Sequence, residues 1–213
     1  EELCGLPVRA GNDANVAALG EMWKGGGQGY RNLVLVTLGT GVGGGVIVNG
    51  ETLSGSIGAG GEIGHIHIQD GEEDICGCGN HGCLEQYASA TGIVRLAKRR
   101  LKATDEESVL RGSEVSAKAV FDAVKAGDEV AIQIAEEFGE YLGKGLAAVA
   151  TVVNPEAFVI GGGVSKAGEI LIPFIEKPYR EKAFFANRKI EFKLATLGND
   201  AGICGSAKMM LDA

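Results

Sequence analysis

The glycines of this chain are gathered rather than scattered. They cluster at residues 25–29, 39–45, 55–64 and 161–163, and there are 35 of them among 213 residues, against a usual share of about 7%. Glycine at that density means dihedrals no other residue takes, or backbone packed against something. The clusters therefore mark where the chain turns. Leu33–Leu38 is a continuous apolar run, read as a buried strand. The turn 39–45 follows it, Val46-Ile47-Val48 resumes as a strand, and Asn49-Gly50 is a hairpin signal.

The remaining elements are read the same way. Residues 6–10 are expected as a short strand, Gly11-Asn12-Asp13 as a turn and 15–24 as a helix. Residues 51–70 read as further strand and glycine loop, ending in the period-two run His65-Ile66-His67-Ile68. Helices are expected over 85–102, over 116–125 behind a Ser116 cap, and over 129–153 up to Asn154-Pro155. A buried strand follows at 157–160 and a last strand at 190–194, with a helix at 168–186 that Pro173 and Pro178 should bend or split, and a last helix at 201–211. Strands come first and then alternate with helices, which gives an α/β class with a mixed sheet. No internal repeat and no linker is visible.

Composition narrows the function. The net charge is −8, whereas a protein that grips nucleic acid through its phosphates carries a basic face. The one basic cluster, Lys98-Arg99-Arg100 with Lys102, closes a helix, where the dipole favours cations and solvent covers them. No apolar run approaches the roughly 18 residues of a membrane helix. The start Glu1-Glu2-Leu3-Cys4 is neither a signal peptide nor a transit sequence, so a cytoplasmic protein is expected, with no membrane and no nucleic-acid contact.

Three features carry chemistry. The sharpest is Cys76-Gly-Cys78-Gly-Asn-His81-Gly-Cys83. Three cysteines so close, without a secretory signal, point to a metal rather than to disulfides. Thiolates with one histidine are a usual ligand set for structural zinc; His65, His67 and His81 compete for the fourth place. Cys4 and Cys204 lie outside the cluster and are read as core residues. The second feature, Gly39 to Gly45, is no Walker loop, because no Gly-Lys-Ser/Thr follows, and no dinucleotide fingerprint, because a strand and not a helix comes after it. A glycine hairpin can still aim backbone N–H groups at a phosphate. The third is Asp13. Either Asn12 or Asp13 caps the following helix, or Asp13 faces the ligand crevice at a strand's C-terminal end, where it could take a hydroxyl proton. Glu62 and Glu85 flank the cysteine loop and could accept from sugar hydroxyls.

Taken together, Gly11-Asn-Asp-Ala-Asn-Val-Ala-Ala-Leu-Gly-Glu, Leu38-Gly-Thr-Gly-Val-Gly-Gly-Gly, Gly61-Glu-Ile-Gly-His, the cysteine loop, Val159-Ile-Gly-Gly-Gly-Val and Gly198-Asn-Asp-Ala-Gly resemble the ROK family of repressors and kinases. The resemblance implies a ribonuclease-H-like, actin/hexokinase-type lobe with a mixed sheet, flanking helices and an inserted zinc loop. It implies Asp13 as catalytic base, and Asn12, Asp13, Glu62, His65 and Glu85 on the sugar. It implies Gly39, Thr40, Gly41, Gly43 and Gly44 on phosphate, Gly161, Gly162 and Gly163 on the adenosine side, and His65, Cys76, Cys78 and Cys83 on zinc. ATP with Mg2+ and a structural Zn2+ are the implied cofactors, a hexose the substrate, and a homodimer the assembly. Residues 1–197 would form the sugar- and zinc-binding lobe and 198–213 a helix returning to an N-terminal lobe.

The family's kinases also carry an Asp-x-Gly-Gly-Thr phosphate loop, and none occurs here. The chain is therefore expected to lack an N-terminal lobe and to be inactive alone. The expected activity of the parent protein is phosphorylation of glucose at its primary hydroxyl. The alternatives are the sugar-sensing domain of a repressor, a kinase for N-acetylglucosamine, N-acetylmannosamine or fructose, and a bare zinc interaction module, which would leave the other motifs unexplained.

Overall fold

The structure is a computed structural model that describes residues 2–3, 5–112 and 114–211. The apolar run Leu33–Leu38 is strand β1, and the molecule is layered around it. β2 (Val42–Val48) turns back against it antiparallel, with Leu38 opposite Val42, and β3 (Glu51–Thr52) continues that side. On the other side β4 (Ala157–Gly161) and β5 (Glu191–Leu194) run parallel to β1. Among the described residues these form one mixed sheet in the order β3-β2-β1-β4-β5.

A strand in the middle of such a sheet must be apolar on both faces, and β1 is. Leu33 and Leu35 pack with Ala18 and Leu19 of helix α1 (Asp13–Lys24). Val34 and Val36 join the larger core of α3 (Ala90–Ala103), α4 (Ala117–Lys125), α5 (Glu129–Val153) and α6 (Leu171–Lys182). The last helix, α7 (Asp200–Leu211), lies along α1. Caps set the helix ends: Ser116 accepts from the Ala119 amide and Asp128 from the Ala131 amide, while Asn154 closes α5 in the left-handed conformation ahead of Pro155. No helix of the described residues is long and apolar enough to cross a membrane.

Five expectations are corrected. Residues 6–10 form no strand: the segment carries Pro7, which removes a ladder donor, and Leu6 and Val8 stay exposed. The helix expected over 85–102 is two helices, α2 (Glu85–Ala88) and α3, because Ser89 is extended and caps α3 through the Gly92 amide. The helix expected over 168–186 is shorter and unbroken. Pro173 sits in the first turn of α6, where no donor is needed, Pro178 is accommodated inside it, and 3-10 turns occupy Val164–Ala167 and Phe185–Asn187. Residues 65–68 are not a strand: Ile63–His65 is a 3-10 turn, followed by a single bridge from His67 to Cys83. Cys204 is only half-buried, so it is no core residue, and Cys4 lies outside the described residues.

Candidate active site and metal centre

β2 opens with glycines because three other segments press on it. A Cβ on Gly45 would fall 2.4 Å from the Ala14 carbonyl in the first turn of α1. A Cβ on Gly44 would fall 2.2 Å from the Gly61 carbonyl, and one on Gly41 would fall 2.5 Å from Glu85 Oε2. The first turn of α1, the turn at 61–65 and Glu85 are thus gathered on one hairpin, at the end of the sheet where β1 and β4 finish. That end is where open α/β sheets hold their ligands.

Each candidate side chain has a stated place there. Asn12 is the helix cap: its Oδ1 accepts from the Ala14 and Asn15 amides at 3.0 and 3.2 Å. Asp13 is the first helical residue, and its exposed carboxylate makes one local bond, from the Ala14 amide at 2.8 Å. Glu62 is exposed. Gly43 and Gly44, expected on phosphate, lie inside β2, Gly43 half-buried and Gly44 buried, each closely packed. Thr40 is the exposed residue of that segment, and Gly39, Gly41 and Gly43 are half-buried. The break at Ser89 anchors it, since the Ala90 amide donates to the Gly39 carbonyl and the Thr91 hydroxyl to the Thr40 carbonyl. The Gly39 amide is spent on the Gly41 carbonyl, and Thr40 between them is exposed.

Gly161 ends β4, and Gly162 follows with φ 84°, where a Cβ would also lie 2.6 Å from the Leu38 backbone. Gly162 and Gly163 are exposed beside the hairpin. A cavity of about 380 Å³ opens next to Gly163, lined in part by Phe121, Lys118, Lys125 and Lys166. The lysines escaped sequence reasoning, because three separated surface lysines carry no pattern until α4 and the 164–167 turn are brought together.

Around the cysteine loop, His65 is the histidine that lies with the three cysteines. Ligand atoms of His65, Cys76, Cys78 and Cys83 lie within 4.8 Å of one another. Cys76 Sγ is 3.6 Å from His65 Nδ1, and Cys78 Sγ is 3.6 Å from Cys83 Sγ. Metal–ligand bonds of about 2.3 Å for sulfur and 2.0–2.1 Å for nitrogen make tetrahedral edges of roughly 3.5–3.8 Å, so the donors are spaced for one ion. His67 turns both ring nitrogens elsewhere, to the His81 carbonyl and to Asp70. With Nδ1 of His65 toward the sulfurs, Nε2 is left on the other edge of a ring whose side chain is 36% exposed. Burial pushes the Cys76 thiol up to about 12 and raises Cys83, while the Asn80 backbone N–H lowers Cys78. A bound cation overrides this, because thiolates are its ligands and their protons leave on binding. Glu85 adjoins the cluster, its Oε1 3.0 Å from the Cys76 sulfur.

A model of the ROK family matches residues 1–213. A glucokinase of Halalkalibacterium halodurans is 47% identical over 210 residues, covering 96% of this chain and 64% of that protein. A xylose repressor of Caldicellulosiruptor bescii is 32% identical over 212 residues, covering 97% of this chain and 52% of the repressor. The crystal structure of a ROK family glucokinase from Streptomyces griseus, in complex with glucose and AMPPNP, superposes with a TM-score of 0.87 at 38% identity, over 100% of this chain and 70% of that one. The mixed sheet with flanking helices is therefore the actin/hexokinase-like fold of those kinases, and the chain spans about two thirds of their length.

Proposed function

The chain belongs to the ROK family, and from that premise we propose that it supplies the sugar- and zinc-binding part of an ATP-dependent hexose kinase acting on the primary hydroxyl of glucose. The observation that carries this reading is the gathering of the α1 first turn, the 61–65 turn and Glu85 on the β1–β2 hairpin. Because Asn12 takes the capping role and only Asp13 Oδ1 bonds the Ala14 amide, the second Asp13 oxygen is spare, and it accepts the hydroxyl proton as the γ-phosphoryl group moves. Glu62, His65 through Nε2, and Glu85 bind sugar hydroxyls together with the amide nitrogen of Asn12, which the cap does not use. The Gly39–Gly41 turn faces phosphate, and Gly162-Gly163 with the adjacent cavity takes the adenosine side of MgATP.

Zinc is held by His65, Cys76, Cys78 and Cys83. Four protein ligands leave no open position, so the ion fixes the loop and takes no part in the reaction. In this reading residues 1–197 form the lobe and 198–213 the return helix, and the protein is a cytoplasmic homodimer.

A coupled assay of the full-length protein against glucose, N-acetylglucosamine, N-acetylmannosamine and fructose tests the proposal. Glucose is expected to give the highest kcat/KM. The likeness to the xylose repressor supports one rival, a sugar sensor; sugar binding with no turnover of any hexose would establish it.

A further inference from the structure

Glu72 opens the acidic run Glu72-Glu73-Asp74, and its side chain is only 4% exposed. A carboxylate is costly to bury unless every oxygen is satisfied, and here both are. Oε2 accepts from the Tyr87 hydroxyl and pairs with Arg95 Nη2. Oε1 accepts from the Asp74 amide at 3.0 Å and lies 3.3 Å from Arg99 Nη2. Tyr87 belongs to α2, the arginines to α3, and Asp74 to the strand of chain that runs into Cys76. The linkage continues: the Asp74 carbonyl accepts from Gln86 Nε2 at 2.9 Å, and Gln86 Oε1 accepts from the Cys83 amide at 3.0 Å.

Between these anchored residues sits Glu85. α2 is one turn long and lacks a side-chain cap, so it has little stability of its own. Its orientation must come from what grips Gln86 and Tyr87. Tyr87 is gripped twice, by Glu72 and by stacking on Tyr141 at 4.1 Å between ring centres.

We infer that Glu72 is a positioning residue for the sugar site, holding α2 in the orientation that aims Glu85 between the cysteine cluster and the β1–β2 hairpin. The role given to Glu85 rests on the kinase reading above; the network itself does not. Groups that orient ligand side chains from behind typically cost 10- to 100-fold when removed.

The test is Glu72→Gln, which keeps the shape and turns an amide toward the arginines, alongside Arg99→Gln at the half-exposed edge of the network. Both are made in the full-length protein, and glucose KM, ATP KM and zinc per chain are measured on each. For Glu72→Gln the expected result is glucose KM raised about 10-fold or more with ATP KM within about twofold and zinc retained; Arg99→Gln moves glucose KM the same way by less. Glucose KM unchanged in folded variants overturns the inference, as does a parallel rise of both KM values with loss of zinc. If Glu72→Gln does not fold, Arg99→Gln decides. If the wild type turns over no hexose, the kinase reading fails and glucose Kd by calorimetry takes the place of KM: a weakened Kd in the variants supports the positioning role, and an unchanged Kd, or no glucose binding by the wild type, overturns it.

Discussion

Asn12 and Asp13 are neighbours with opposite situations. One is consumed by the helix cap, with its oxygen on two amides, and the other stands exposed at the head of the same helix. A carboxylate in that place costs the fold little and gains from the helix dipole, which leaves it available for proton transfer. Gly41 is the second telling residue. Its backbone angles are ordinary, and the only atoms a methyl group would meet are those of the Glu85 carboxylate, the nearest at 2.5 Å. Gly41→Ala is therefore expected to change stability by less than about 1 kcal/mol, since a side-chain tip gives way, while raising glucose KM because that tip is the proposed sugar ligand. Thermal unfolding and steady-state kinetics on one preparation check both halves. A large loss of stability with unchanged KM would mean that the hairpin, and not Glu85, feels the methyl.

Among the elements, the cysteine loop and its brace hold the most of the proposed site in the fewest residues. One equivalent of zinc per chain is expected on metal analysis, and its removal by a chelator should abolish glucose binding before the sheet unfolds, since β1 and β4 pair with each other and are packed by α1 and by the α5–α6 core. Well under half an equivalent in freshly purified protein would count against the site. The brace should also show in acid. Burial alone would raise the Glu72 pKa, but the Tyr87 hydroxyl, the Asp74 amide and the arginines outweigh it and hold the carboxyl at about 2. A folded value below the ordinary one stabilises the protein above the ordinary range, and that contribution is lost as pH falls toward 2. The unfolding midpoint is expected to drop more steeply between about pH 4.5 and 2 in the wild type than in Glu72→Gln. Equal slopes would show that the charge on Glu72 is not what the network needs.

This loop also marks how far sequence reading reached. The cysteines announced themselves by spacing. His65 could be chosen over His67 from family resemblance alone, because the orientation of two rings in one loop is a tertiary fact. Glu72 was invisible: an acidic run looks solvated until Tyr87, Arg95 and Arg99 fold over it. The break at Ser89 was missed for a similar reason. The sequence 85–102 has helical character throughout, and what interrupts it is the bond from the Ala90 amide to the Gly39 carbonyl, a contact across 51 residues of chain. By contrast β1, β4 and α5 were legible nearly to the residue, since burial on both faces or a long amphipathic run is written in local composition.

In the whole molecule, the exposed groups Asp13, Glu62, Thr40, Gly162 and Gly163 lie at the end of the sheet where β1 and β4 finish, and the apolar side chains of Ile203 and Leu211 on α7 are also exposed. The larger core on the other face is closed by α5 and α6 and holds no group proposed for catalysis. Rigid support on one side and open polar residues at one edge suit a kinase, in which positioning and charge account for nearly all of the catalysis. The decisive measurement is made on Asp13→Asn in the full protein, with glucose binding by calorimetry beside turnover by coupled assay. General-base catalysis contributes about 10²–10⁴-fold, so kcat is expected to fall by that order while glucose Kd stays within a few fold. A variant that keeps more than about a tenth of wild-type kcat would contradict the assignment and leave Asp13 as no more than the first residue of a capped helix.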